Sequence, residues 1–195
     1  FGPSYLLPNA DAFNETCAAV GNVLFNFRMF LAHKDAKYLD VAEVSLLNNV
    51  LAAVNLEGNR FFYVNPLEAD GKYPFNHGTA GRAPWFGTAC CPSNMARLLP
   101  QVQGMTYAHD NKNLYLAMYA QTSTSLKIAG TNLAVSQKTD YPNDGRVEVS
   151  LNPEKPADFS LRLRIPTWTG KQFVPGKLYR YLDSSTEKWL LSVNG

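Results

Sequence analysis

Three cysteines are the most reactive side chains in this sequence of 195 residues. Cys90 and Cys91 are adjacent, and Cys17 lies far upstream, two residues after Glu15. Three thiolates and one carboxylate form a ligand set that zinc accepts in tetrahedral geometry. The spacing matches no common zinc finger, because the sequence has no CxxC pair and no HxxxH pair. The alternative from residue types alone is three buried cysteines that behave as small hydrophobic side chains.

The residues around the cysteine pair predict how the two thiols are presented. Pro92 favours an extended conformation at Cys91, and Ser93 is a suitable N-cap for a short helix that stops near Pro100. Both thiols would then lie at the positive end of a helix, where the ionised form of a thiol is favoured. We therefore expect Cys90 and Cys91 to react as thiolates, either as metal ligands or as nucleophiles.

Two predicted helices position the other candidate residues. Apolar side chains at alternating steps of four and three predict an amphipathic helix from Phe13 to Leu31, with Cys17 on its buried face. A second helix is expected from Ala36 to Val54, where stepping back four residues from Leu47 reaches Glu43. An acid on an apolar face is costly unless it is paired or used. The alternative is a surface Glu that flanks the apolar stripe.

The segment that follows the second helix contains one further candidate. The run 61–66 reads as a short extended stretch, with Tyr63 and Asn65 on the same side. The glycine-containing stretch 68–84 is a predicted loop, and we expect its His77 to be solvated rather than bound to a metal.

The sequence changes character after about residue 105. Short runs with period-two alternation, separated by polar turns, predict an antiparallel β-sandwich without a long helix. These runs are 113–120, 125–128, 133–137, 146–151 and 159–165. Helical patterns first and strand patterns second predict an α+β protein of two domains, 1–105 and 106–195.

Composition restricts the function classes. Hydrophobic residues make up 46% of the chain and charged residues 17%, which is typical of a globular protein with a sizeable core. The net charge of +2 gives no basis for binding nucleic acid or an acidic membrane, and no apolar run is long enough to span a bilayer. The sequence begins at Phe1 without a methionine, and we expect it to be an internal piece of a longer protein.

Four motifs in the first half of the chain resemble the β-L-arabinofuranosidase family, glycoside hydrolase family 127. They are Leu7-Pro8-Asn9, Glu15-Thr16-Cys17-Ala18, the run from Phe61 to Glu68, and Trp85-Phe86-Gly87 followed by Cys90-Cys91-Pro92. The motifs occur in the family's order, and the β-rich second half also suits the family. Each motif alone is weak, whereas the set is specific.

The resemblance implies a fold and a chemistry. The fold is the C-terminal part of an (α/α)6 barrel followed by an antiparallel β-sandwich. The chemistry is that of a retaining glycosidase that releases L-arabinofuranose or a related rare sugar from plant glycans, so the expected partner is a carbohydrate. The implied cofactor is zinc, with Cys90 as both ligand and nucleophile. The implied zinc ligands are Glu15, Cys17, Cys90 and Cys91, and the implied substrate-binding residues are Glu43 and Tyr63.

Two departures from the family pattern qualify these expectations. The family commonly has a further cysteine at the position of Thr88, so that thiol is not essential to the ligand set. The family's acid/base Glu would lie just upstream of Phe1, so we expect the isolated chain to bind metal without hydrolysing a glycoside.

Two other functions are also compatible with the sequence. One is a non-catalytic carbohydrate-binding protein with a structural zinc, because four protein ligands normally mark a structural site. The other is a cysteine hydrolase in which Cys90 is paired with His109.

Overall fold

The computed structural model describes residues 3, 4, 6, 8–170, 182 and 188–194. The chain divides into two compact units, Phe1–Met29 with Asp40–Gln101, and Phe30–Leu39 with Val102–Gly195. Leu7 of the first family motif lies outside the described residues. The helices and strands confirm the predicted α+β class. The proposed domain boundary after residue 105 and the membership of the helices in an (α/α)6 barrel stay predictions.

The first helix, α1, spans Thr16–His33. It ends where Lys34 adopts the left-handed conformation, with a φ of 59°. The predicted start at Phe13 is wrong, because the Asn14 carbonyl accepts a hydrogen bond from the backbone N–H of Asn65 and not from a residue of the helix. Cys17 was predicted to lie on the buried face, but it is only half-buried, and the fully buried positions begin one residue earlier, at Thr16. The buried side chains of α1 are Thr16, Ala19, Val20, Val23, Asn26 and Phe30.

The second helix is shorter and less regular than the apolar pattern predicts. The helix α2 spans Lys37–Ser45 and continues as a π-helical turn, Leu46–Val50, so the predicted extension to Val54 is wrong. Leu46 is buried in place of the predicted Leu47, since it follows the buried Glu43 by three residues on the same helix face. No helix in the described part of the chain is both long and apolar enough to cross a bilayer.

The third helix, α3, spans Cys90–Val102 and is followed by a 3₁₀ turn, Gln103–Met105. Ser93 is not the N-cap, because it lies inside the helix and its hydroxyl donates to two backbone carbonyls of the preceding turn, at 3.0 and 2.9 Å. The helix also continues through Pro100. Pro92 fits in the first turn, where the missing N–H has no intrahelical acceptor.

In the described part of the second unit, six strands form two three-stranded sheets. The strands are β1 (Tyr107–His109), β2 (Asn113–Leu116), β3 (Thr122–Ile128), β4 (Thr131–Thr139), β5 (Val147–Pro153) and β6 (Ser160–Leu163). One sheet has the order β1-β2-β6 and the other the order β3-β4-β5. Side chains from both sheets form one buried cluster, as expected for a sandwich. The cluster contains Leu114, Leu116, Ile128, Leu133 and Val135. Among the described residues after Asn113, the helical structure is a 3₁₀ turn at Thr167–Gly170.

The sheets differ from the predicted pattern in three details. The strand β1 lies outside every predicted run. The pair β2–β6 is parallel, which the long connection through β3, β4 and β5 allows. The alternation predicted for 159–165 fails, because Leu161 is exposed and β6 stops at Leu163. Arg164 is therefore buried at 3% exposure, with its guanidinium 5.8 Å from the Tyr119 ring centroid, and Ile165 is exposed.

A buried asparagine in the first unit holds the extended run that carries Tyr63. The Asn76 side chain accepts a hydrogen bond from the backbone N–H of Tyr63 at 2.7 Å. Its amide donates to the carbonyls of Phe61 and Gly81 at 3.1 and 2.9 Å. From the opposite side, the backbone N–H of Thr16 donates to the Tyr63 carbonyl at 3.0 Å. The run is therefore fixed both to its own loop and to the start of α1.

Replacing Asn76 should destabilise the extended run that carries Tyr63. We expect Asn76→Ala to lower the free energy of unfolding by about 1–3 kcal/mol, because several buried backbone groups lose their partner. Chemical denaturation of the intact protein measures the change. Asn48→Ala, at an exposed position, is the control and should stay within about 0.5 kcal/mol. Equal stability of the two variants would contradict the role of Asn76.

Candidate metal centre and active site

The fold brings together four side chains that are far apart in sequence. The ligand atoms of Glu15, Cys17, Cys90 and Cys91 all lie within 4.8 Å of one another. Cys17 is the second residue of α1, and the adjacent cysteines are the first two residues of α3. Glu15 lies just before α1 and pairs with Val64 in an isolated antiparallel bridge. Two helix starts and one backbone bridge therefore position the whole cluster, which contains no histidine.

The distances within the cluster are close to those of a tetrahedral metal site. Sγ of Cys91 lies 3.2 Å from Sγ of Cys17 and 3.9 Å from Sγ of Cys90. Oε1 of Glu15 lies 3.7 Å from Sγ of Cys90 and 3.9 Å from Sγ of Cys91. Bonds of about 2.1–2.3 Å imply ligand separations of roughly 3.4–3.8 Å in a tetrahedron. The four separations of 3.2–3.9 Å lie near this range, and since every pair lies within 4.8 Å the donor atoms could surround such an ion after shifts of about 1 Å.

Burial favours the protonated form of two of the three thiols, Cys17 and Cys91, when no cation is bound. Burial raises the pKa of the Cys91 thiol, and the hydrogen-bonded Cys17 raises it further. Burial also raises the pKa of Cys17, although a hydrogen bond from Asn94 opposes the shift. A metal ion that binds here must displace these protons.

Tyr63 forms the wall beside Cys90. Its hydroxyl lies 3.2 Å from Sγ of Cys90, and this contact, together with burial, raises the pKa of the phenol. The Tyr63 ring packs against His77, Phe86 and Phe13, with centroid distances of 4.4, 5.5 and 6.3 Å. His77 is exposed and lies outside the four-ligand group, so its place in the structure is a ring contact with Tyr63.

Glu43 lies on α2 and is not one of the four clustered residues. Its side chain is only 4% exposed, which excludes the alternative of a surface Glu. Asp40, one turn earlier on the same helix, is buried as well. The substrate-binding roles of Glu43 and Tyr63 stay predictions.

Sequence reasoning missed two asparagines that support the site. Asn76 fixes the run that carries Tyr63, and Asn94 donates a hydrogen bond from Nδ2 to Sγ of Cys17 at 3.2 Å. Asn94 follows Cys90 by four residues, and this helical spacing is a sequence signal that could have indicated a shared face. Asn76 gives no comparable signal, because asparagines are common in loops.

Comparison with known proteins identifies relatives for both parts of the chain. Residues 1–104 match the family described as Beta-L-arabinofuranosidase, GH127 catalytic domain, and residues 113–195 match its GH127 middle domain. The non-reducing end beta-L-arabinofuranosidase of Bifidobacterium longum subsp. longum is 35% identical over 176 residues. That alignment covers 87% of this chain and 27% of the relative.

Solved structures agree with the sequence matches. A GH127 beta-arabinofuranosidase superimposes with a TM-score of 0.87 at 43% identity, over 95% of this chain and 28% of that chain. A GH127 beta-L-arabinofuranosidase from Geobacillus stearothermophilus T6 gives 0.79 at 38% identity, over 84% of this chain and 26% of that chain. The class defined by this fold and these relatives is the glycoside hydrolases. Within that class, the chain belongs to the GH127 β-L-arabinofuranosidase family. It spans about a quarter of the length of these relatives.

The intact protein should contain one metal ion per chain at this cluster. Cys17→Ser should abolish binding, because it removes one of four ligands and leaves the others unable to complete the shell. Elemental analysis of protein purified without chelator measures the content. Thr88→Ala, at an exposed position two residues before Cys90, should retain the full metal content. Metal-free protein with native circular dichroism would contradict the site.

Metal binding should also depend on pH in a defined direction. Since the pKa values of Cys17 and Cys91 are raised, these thiols are protonated near neutral pH in the metal-free protein, and binding must release protons. The affinity should therefore rise with pH between about 6 and 8, by about tenfold per pH unit for each proton displaced. Chelator competition at several pH values measures this slope. An affinity independent of pH would show that the thiols are not the ligands.

Proposed function

We propose that the protein containing this chain is a retaining glycoside hydrolase that releases L-arabinofuranose from β-L-arabinofuranosides, with the zinc-bound thiolate of Cys90 as nucleophile. The observation that carries the proposal is the difference in solvent exposure between the two adjacent thiols. Cys91 is fully buried, whereas Cys90 is partly exposed and lies beside the Tyr63 hydroxyl. The names of the relatives indicate the sugar, and the partial exposure of Cys90 indicates that a substrate has access to its sulfur.

The donor set favours zinc over harder cations. Magnesium and calcium prefer oxygen ligands, whereas three thiolates with one carboxylate suit zinc. Glu15, Cys17, Cys90 and Cys91 would hold the ion. When bound, zinc keeps the Cys90 sulfur ionised near neutral pH while it lowers the intrinsic nucleophilicity of that sulfur.

The reaction divides into two displacements at the anomeric carbon. In the first, Sγ of Cys90 forms a bond to this carbon as the bond to the leaving oxygen breaks, and a carboxylic acid protonates that oxygen. In the second, the resulting carboxylate removes a proton from water, the water oxygen bonds to the anomeric carbon, and Sγ departs as the thiolate. Two inversions give net retention. We propose, from the family resemblance, that a Glu outside this chain supplies the carboxylic acid.

Tyr63 and Glu43 would orient the sugar for this attack. The raised pKa keeps the proton on the Tyr63 hydroxyl, so the hydroxyl can donate to the ionised sulfur of Cys90 or to a sugar oxygen. Glu43 would accept hydrogen bonds from sugar hydroxyls. Holding the furanose in line with Cys90 makes attack effectively unimolecular, which is a large part of the barrier reduction available to an enzyme.

A substitution separates substrate binding from metal binding. We expect Glu43→Gln in the intact enzyme to leave the zinc content unchanged and to lower kcat/KM by roughly 10–100-fold, the range for losing hydrogen bonds to a charged group. The exposed Glu57→Gln is the matched control and should retain wild-type turnover. Loss of zinc from the Glu43→Gln variant would mean that Glu43 supports the metal rather than the sugar.

A covalent probe tests the nucleophile directly. An epoxide with the configuration of β-L-arabinofuranose should inactivate the intact enzyme and add its mass to the peptide that contains Cys90, and Cys90→Ser should remain unlabelled. Thr88→Ala should be labelled at the wild-type rate. Sugar binding without labelling or turnover would favour the alternative, a carbohydrate-binding protein with a structural zinc. Labelling of a different residue would refute the assignment of Cys90.

A further inference from the structure

Asn94 contacts a ligand of the candidate metal centre without being a ligand itself. Its Nδ2 donates a hydrogen bond to Sγ of Cys17 at 3.2 Å. Asn94 lies four residues after Cys90 and three after Cys91 on α3, so it shares the helix face of both cysteines. The contact therefore joins the start of α3 to the start of α1 through a sulfur atom.

The charge of the ligand set explains why a neutral donor is suited to this position. Three thiolates and one carboxylate carry −4 in total, and with Zn²⁺ at +2 the formal charge of the centre is 2 − 4 = −2. Hydrogen bonds to a ligand stabilise such surplus charge and fix the orientation of the ligand. An asparagine amide supplies N–H donors without adding a negative charge.

The hydrogen bond from Asn94 is made to Cys17, whose sulfur takes no part in the bond changes of the proposed reaction. Cys90 has the Tyr63 hydroxyl as its neighbour, whereas Cys17 has the Asn94 amide. A donor on Cys17 stabilises a ligand that stays in place throughout the cycle.

We propose that Asn94 is a positioning residue for the metal centre: its amide holds the Cys17 thiolate as a ligand and stabilises the charge of that thiolate. This role rests on the proposed zinc site. It predicts that loss of the amide weakens zinc binding by roughly 10–100-fold, the usual effect of removing a hydrogen bond to a metal ligand. Zinc content at saturating zinc should stay at one ion per chain, because all four ligands remain.

The test uses the intact protein with Asn94→Leu, which keeps a similar shape but has no N–H donor, and Asn94→Ala as a second variant. Gln101→Leu is the matched control, because the Gln101 amide on the same helix donates to the backbone carbonyl of Arg97. The zinc dissociation constant is measured by chelator competition. The sulfur-to-cobalt charge-transfer band of the Co²⁺-substituted protein is recorded for each variant.

Weaker zinc binding in both Asn94 variants, with a charge-transfer band at longer wavelength, would support the role, because a sulfur without its hydrogen bond is a better electron donor. Gln101→Leu should change neither quantity. A dissociation constant within about threefold of wild type in a folded Asn94 variant, or an unshifted band, would overturn the role of Asn94 alone. Failure of the unsubstituted protein to bind zinc would overturn the proposed metal centre together with this role.

Discussion

Mutual repulsion among four acidic side chains is the constraint on which the site depends. Three thiols and a carboxylate whose donor atoms lie within 4.8 Å of one another cannot all be ionised unless a cation compensates them. Burial raises the pKa of Cys17 and Cys91 and so favours the neutral form of these two thiols in the metal-free site. Because Cys90 belongs to the same group, the proposed metal ligands and the proposed nucleophile are held by one arrangement of residues.

This arrangement requires backbone segments that are far apart in sequence to be held in fixed positions. The residue before α1 pairs with Val64, and the neighbouring Tyr63 is fixed through its backbone by Asn76. The same run therefore places Glu15 in the ligand group and the Tyr63 hydroxyl beside Cys90. Buried amides such as Asn76 suit this role, because one side chain can both donate to and accept from backbone groups that would otherwise be unpaired.

Residue types and the family resemblance led to the four residues that the fold brings together, and helical patterns followed by strand patterns led to the α+β class. That these four residues bind a metal stays a prediction. The helix boundaries were less predictable, because the start of α1 depends on pairing with residues about fifty positions later, and local periodicity carries no information on that pairing. The same reason explains the parallel pairing of β2 with β6. The amide of Asn94 could be placed on the face of the cysteines by spacing, but its contact with Cys17 depends on how α3 approaches α1.

The central claim is that three sulfur atoms and one carboxylate oxygen surround a single zinc ion. X-ray absorption at the zinc edge, on the intact protein as purified, measures this shell directly. The account predicts three sulfur neighbours at about 2.3 Å and one oxygen neighbour at about 2.0–2.2 Å. A shell with two or fewer sulfur atoms, or with nitrogen neighbours typical of histidine, would contradict it.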